Sequence, residues 1–136
     1  MASMRQNKAK GSKAERELIN MFWQAGWAAM RAAGSGSTQY PCPDILVGNA
    51  NKKIAIEAKF TASSTTKYFA QKEIIELQYF CDKFGSEPWV AVKFDKEPWY
   101  FFPIHDLNET GKNFAINLKD AKIKGLLFED LIKCLI

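Results

Sequence analysis

Apolar positions along the chain follow two rhythms. Leu18, Ile19, Phe22 and Ala25 recur at helical spacing, which predicts a first helix with Ser12 as N-cap and Gly26 as stop. "WAAMRAA" (27–33) reads as a strand that runs into "GSGSTQYPCP" (34–43), a loop dense in Gly, Ser and Pro. "DILVG" and "KKIAIEAKF" read as two strands around a polar turn at Asn49–Lys52, and "TASSTTKY" (61–68) as a loop. A second helix is predicted over 69–84, with Ile74, Leu77, Cys81 and Phe84 on one stripe and Gly85 as its stop. "PWVAVKF" and "PWYFFP" read as strands joined at "DKE", "NFAINL" as another, and "LLFEDLIKCLI" as a closing helix. This order of elements points to an α/β domain, a mixed sheet with helices on its faces.

With 136 residues the chain is read as a single domain, residues 1–136, long enough for a real core. No apolar run approaches the roughly 20 residues that span a bilayer, and "MASMRQNKAKGSK" lacks a signal-peptide core. The expectation is a cytoplasmic protein with no membrane partner. Cys42, Cys81 and Cys134 are an odd number with no CxxC spacing, and read as reduced thiols. The net charge of +4 is placed unevenly. Arg5, Lys8, Lys10 and Lys13 lie in the first 14 residues, which hold no acid, and the other 15 basic residues are matched by 15 acids. Residues 1–11 therefore read as a basic, flexible arm, suited either to contact with phosphates or to plain solvation.

The hairpin "PDILVGNANKKIAIEAK" (43–59) carries the chemistry. A turn centred between Ala50 and Asn51 sets Gly48 opposite Lys53 and Asp44 opposite Glu57. Opposed side chains on one face have Cβ atoms about 5 Å apart. Lys59 shares that face by its two-residue spacing from Glu57, whereas Ile56 and Ala58 point to the other. Two carboxylates so placed repel by about 4 kcal/mol at an effective dielectric of 20. The compensation is a cation such as Lys59 or a divalent metal, and carboxylate oxygens suit Mg²⁺ or Mn²⁺ rather than zinc. A solvated hairpin end with an incidental salt bridge is the plainer alternative, but "DILV" and "IAIEAKF" are too apolar for a free surface ribbon.

Glu15 has two readings that are compatible with each other. Ser12-x-x-Glu15 fits a capping box. Glu15 also lies on the stripe of Leu18, Ile19 and Phe22, facing the sheet, where a metal shared with Asp44 and Glu57 would pair it. His105, the only histidine, reads as a surface or capping residue, and Tyr40 as a loop aromatic. "WYFF" (99–102) reads as a buried strand.

Asp, a turn, then Glu-x-Lys at a strand end resembles the core signature of restriction-endonuclease-like nucleases. "KGSKAERELI" (10–19), "RAAGS" (31–35), "PDILVGN", "IAIEAKF" and "FGSEPWVAVKF" (84–94), in this order, resemble the archaeal Holliday-junction resolvases. The resemblance spans roughly residues 10–103. It implies the restriction-endonuclease-like fold, a central mixed sheet flanked by helices. It also implies a Mg²⁺-dependent homodimeric endonuclease, with Mn²⁺ as a substitute, that cuts four-way DNA junctions by symmetric nicks during recombination and repair. By the same resemblance Asp44, Glu57 and the backbone carbonyl of Ala58 match metal ligands, and Glu15 matches a helix-borne catalytic glutamate. Lys59 matches the lysine that orients the attacking water. Arg16, Arg31 and Lys93 match basic positions near the site, and Lys10 and Lys13 join them as expected DNA contacts. Ser35 and Ser37 are expected at the junction strand, and Phe80 and Phe84 match dimer-interface aromatics.

The rival readings are a nuclease of the same fold acting on forks, flaps or nicked duplex, and a non-catalytic DNA-binding module. Four intact residues, Glu15, Asp44, Glu57 and Lys59, weigh against the module. Recruitment by other recombination or replication proteins is left open by the sequence.

Overall fold

The computed structural model describes residues 4–32, 39–111 and 113–136. Along the chain come α1 (Met4–Gln24), β1 (Ala28–Arg31), β2 (Ile45–Gly48), β3 (Lys53–Thr61), β4 (Thr66–Ala70) and α2 (Gln71–Phe84). Then follow β5 (Glu87–Phe94), β6 (Trp99–Pro103), a 3-10 turn (Ile104–Asp106), β7 (Asn108–Thr110), β8 (Asn113–Asn117), α3 (Leu118–Lys124) and α4 (Phe128–Leu135).

The main sheet has the order β1-β2-β3-β5-β6, in which only the β3–β5 pair is parallel. That pair aligns Ile54–Thr61 with Glu87–Phe94 without a break. A parallel strand at the centre of a sheet is covered on both sides. Accordingly Ile54, Ala55 and Ile56 are all buried although they alternate in direction. One face packs Ile54, Ile56 and Ala58 under Leu18 and Phe22 of α1 and Leu131 and Leu135 of α4. The other packs Ala55, Val90 and Val92 under Ile74, Leu77 and Cys81 of α2.

The hairpin register follows the sequence reading, with Gly48 opposite Lys53. Asn49 fixes the turn by accepting from the amides of Asn51 and Lys52, each at 2.8 Å. Gly85 ends α2 in the left-handed conformation (φ 82°), and its amide donates to the Cys81 carbonyl. Trp99, Tyr100, Phe101 and Phe102 are buried, as expected of "WYFF". His105 is an exposed residue of the 3-10 turn.

The structure differs from the expected elements at several points. Helix α1 begins at Met4, so Ser12 lies inside it rather than at its N-cap, and residues 4–11 are helical backbone. This extension packs through Gly11, which lies close over Phe60 of β3. The polar segment 61–68 contains the start of β4: Phe69 is buried and Tyr68 exposed, an edge-strand alternation that Thr and Ser disguise. Strands β4, β8 and β7 form a separate three-stranded antiparallel sheet, and α2 starts only at Gln71. Phe84 is 44% exposed rather than part of the buried stripe. Helix α3 was not anticipated; Asn117 caps it by accepting from the Asp120 amide at 2.7 Å. Among the described residues no helix is long and apolar enough to cross a membrane.

Phe22 is fully buried and packs edge-on to Phe101 and Phe128, at 6.4 and 5.0 Å between ring centres. Phe22→Ala is expected to destabilise the fold by about 3–5 kcal/mol in denaturant titration. Ile123→Ala, at a 72%-exposed position, is expected to change it by less than about 0.5 kcal/mol.

Candidate active site

Asp44 precedes β2 by one residue. Its amide donates to the Ile56 carbonyl (3.1 Å), and its Oδ2 accepts from the Ala58 amide (2.9 Å). The last ladder pair is Ile45 with Ile56. One further step in that register places Asp44 beside Glu57, close enough for each carboxyl group to act on the other's ionisation.

Burial dominates the electrostatics of this pair. It pushes the Glu57 carboxyl up to about 9, and the charge and hydrogen bond of Asp44 add to the effect, with Glu73 behind them and Lys59 opposing. Asp44 is raised as well by burial, against the lowering influence of the Ala58 amide, Glu57 and Lys59. At neutral pH the two acids therefore hold a proton between them, and they titrate as one unit.

Lys59 projects from the same strand. Its Nζ lies 2.9 Å from Glu73 Oε2 and 5.4 Å from the centre of the buried Phe69 ring. Glu73 sits in the first turn of α2, and its other oxygen accepts from the Ala70 amide at 3.0 Å. Because Ala70 has no side-chain oxygen, only this half of a capping box is made.

On the opposite side of the sheet, Glu15 of α1 pairs with Arg31 of β1 at 2.9 Å. Burial raises the Glu15 carboxyl, and the Asp44 charge adds to that, while Arg31 pulls it down. Asp44 thus feels both groups, Glu15 from the α1 side and Glu57, Lys59 and Glu73 from the α2 side. Among the described residues no three His, Cys, Asp or Glu side chains gather into a ready-made metal cluster.

Two grooves flank the N-terminal half of α1, with Phe60 at the base of both. Lys8, Gly11, Ser12, Glu15 and Arg31 line one, and Lys10, Lys13, Glu17, Lys93 and Asp95 the other. Lys93 Nζ lies 5.7 Å from the centre of the Phe60 ring. Arg16 is exposed on α1 between them in sequence. Ser35 and Ser37 lie outside the described residues. Phe80 and Phe84 stack at 5.2 Å between ring centres, with Phe84 beside Lys53 at the start of β3, the opposite end of that strand from Lys59.

The structure therefore sets Asp44 beside Glu57, keeps Lys59 within electrostatic reach of both while pairing it with Glu73, and sets Glu15 within reach of Asp44 but in the hand of Arg31. Sequence reasoning missed Glu73. Its place three residues after a helix start is legible, but its position over Lys59 is a tertiary fact.

The profile of the family described as "Archaeal holliday junction resolvase (hjc)" matches residues 6–136. The crossover junction endodeoxyribonuclease Hjc of Archaeoglobus fulgidus is 39% identical over 130 residues, covering 90% of this chain and 95% of that protein. Its namesake from Methanocaldococcus jannaschii is 35% identical over 127 residues, covering 93% and 87%. The solved structure of the Archaeoglobus fulgidus protein, described as a Holliday junction resolvase, superposes with a TM-score of 0.80 at 37% identity, covering 91% of this chain and 96% of that one. A bacterial homing endonuclease shares the fold alone, with a TM-score of 0.52 at 13% identity, covering 86% and 77%. The chain belongs to the archaeal Holliday junction resolvase family, and its fold is the restriction-endonuclease-like α/β fold that the sequence implied.

A carboxyl raised from 4.5 to about 9 on folding means that the folded protein binds more protons than the unfolded chain within that window. Stability contributed by protonated Glu57 is then full at low pH and is lost as pH rises towards 9, at a slope of up to about 1.4 kcal/mol per pH unit. In chelator, Glu57→Gln is expected to flatten this dependence and to be more stable than the parent at pH 8. Denaturant titrations from pH 5 to 9 measure it, and an unchanged slope contradicts the assignment.

Proposed function

We propose that this member of the archaeal Holliday junction resolvase family is a single-domain, Mg²⁺-dependent endonuclease that resolves four-way DNA junctions by paired, symmetric nicks, working on DNA inside the cell as a homodimer. The observation that carries the reading is the Asp44–Glu57 pair: two half-buried carboxyl groups side by side where β2 ends, with Lys59 two residues along the strand from Glu57.

The donor chemistry fits the metal. A half-buried pair of hard oxygen ligands whose charges repel each other is a set that Mg²⁺ or Mn²⁺ satisfies. Asp44, Glu57 and the carbonyl of Ala58 would hold it, with Glu15 as a further ligand. When bound, the ion supplies Lewis acidity and charge relief at the phosphate.

The remaining tasks fall to the chain's own residues. In the hydrolysis a water oxygen loses a proton and bonds to phosphorus, one ester P–O bond breaks, and the departing oxygen takes up a proton to leave as the alcohol end of the nicked strand. Lys59 donates hydrogen bonds that orient that water and carries positive charge towards the oxygens where negative charge grows. Arg31, held by Glu15, turns its guanidinium to the groove along α1, where a phosphate is matched by the planar fork of donors. Lys10, Lys13, Arg16 and Lys93 take further backbone phosphates, and binding is then steeply salt-dependent. Ser35 and Ser37 are assigned to contact with the junction strand on the family resemblance alone.

Helix α2 offers the surface for pairing. Ile75, Tyr79 and Phe84 are 66%, 55% and 44% exposed, an apolar outer face that a second copy would cover beside the stacked Phe80. Twofold symmetry gives two equivalent sites, as two nicks in opposed strands require.

A labelled four-way junction and its matching linear duplex, each with Mg²⁺ or chelator, test this reading. Symmetric nicking of the junction alone is expected. Asp44→Asn and Glu57→Gln should lose more than the roughly 100-fold that removal of an outer-shell partner costs. Cutting of forks or duplex at the junction rate means a different nuclease of the same fold, and binding without cutting under any divalent metal means a DNA-binding module. Phe84→Asp is expected to sediment as a monomer and to abolish the paired character of the nicks.

A further inference from the structure

We propose that Glu73 is a positioning residue for Lys59, holding the lysine ammonium at the acid pair; the proposal rests on the role given to Lys59 above. No part of the hairpin fixes Lys59 by itself. A lysine is a point charge on a flexible four-carbon stem, so its placement must come from what surrounds the ammonium.

The surroundings come from the junction of β4 and α2. Glu73 Oε2 lies 2.9 Å from Lys59 Nζ, and the two side chains are only 32% and 25% exposed. The second oxygen, Oε1, accepts from the Ala70 amide at 3.0 Å. With both oxygens engaged, the carboxylate is locked to the start of α2 and cannot follow the lysine. Phe69, fully buried and paired with Phe114 across the small sheet, sets its ring 5.4 Å from the same nitrogen. One N–H of the ammonium is thereby committed to Glu73, and two remain to face the acids and whatever occupies the site between them.

Charge supports the same assignment. Glu73 adds negative potential to Asp44 and Glu57, which makes that pair harder to ionise. Glu73 therefore gives the acids no direct help. Its charge is matched by Lys59, whose own charge acts on the pair in the opposite sense. The three-stranded sheet and the start of α2 thus have a task in the site: they present one carboxylate and one ring to the lysine.

Glu73→Gln is the informative variant, because its amide oxygen can still accept from Ala70 while the charge is lost. Cleavage is measured in single turnover with enzyme in excess over a four-way junction. Junction affinity without divalent metal and thermal stability are measured alongside. The expected result is a cleavage rate lower by on the order of 10-fold or more, within the ~10²-fold that a misplacement of about 1 Å costs, at unchanged affinity and melting temperature. In a Lys59→Ala background, Glu73→Gln should cause no further loss in residual cleavage over long incubations, since it acts through the missing ammonium. A rate equal to the parent's, an equal further loss in the Lys59→Ala background, or a fall in affinity or stability that accounts for the slower cutting overturns the proposal. Lys59→Ala cutting as fast as the parent would instead overturn the role of Lys59 itself, so the two failures are distinguishable.

Discussion

The parallel pairing of β3 with β5 is the constraint on which the rest depends. It places "IAIEAK" at the middle of the sheet, with α1 and α4 on one face and α2 on the other. A strand in that position has no solvated side, so any acid near its C-terminal half is desolvated by the fold. The raised carboxyl of Glu57 follows from this burial more than from any single neighbour. Desolvation of this kind is costly for a charged carboxylate and is borne better by a protonated one.

Asp44 converts a strand feature into a site. It stands where the ladder of β2 ends, tied to β3 by its own amide and by the Ala58 amide. From there it meets Glu57 on one side and the field of Glu15 on the other. The two faces of the sheet deliver different chemistry to that point. The α1 face brings Glu15, Arg31 and two cation-lined grooves, and the α2 face brings Lys59 in the hold of Glu73. The groove-lining cations and the lysine held by Glu73 are thereby kept apart, with the acid pair at the boundary.

Much of this is legible in the sequence where the physics is local. A two-residue period and a turn rich in Asn place Gly48 opposite Lys53, and the same register joins Asp44 to Glu57. Gly85 marks the end of α2 because the left-handed conformation suits glycine. What escapes the sequence is set by distant partners. Ser12 has the chemistry of a cap, but the helix continues to Met4, and Gly11 finds contact with Phe60, which is far along the chain. Strand β4 is polar on its outer side and acquires its identity from pairing with β8. Glu15 is readable as a buried acid, yet its pairing with Arg31 depends on where β1 docks. The ion pair of Lys59 with Glu73 is likewise invisible until α2 packs.

The central proposal is that the Asp44–Glu57 pair binds a divalent metal and gives up a proton as it does so. Calorimetric titration of the protein with Mg²⁺ at pH 7, in two buffers of different ionisation enthalpy, tests it most directly. The account predicts release of about one proton per ion bound, and loss of binding in Asp44→Asn. Binding without proton release, or binding that survives Asp44→Asn unchanged, would contradict it.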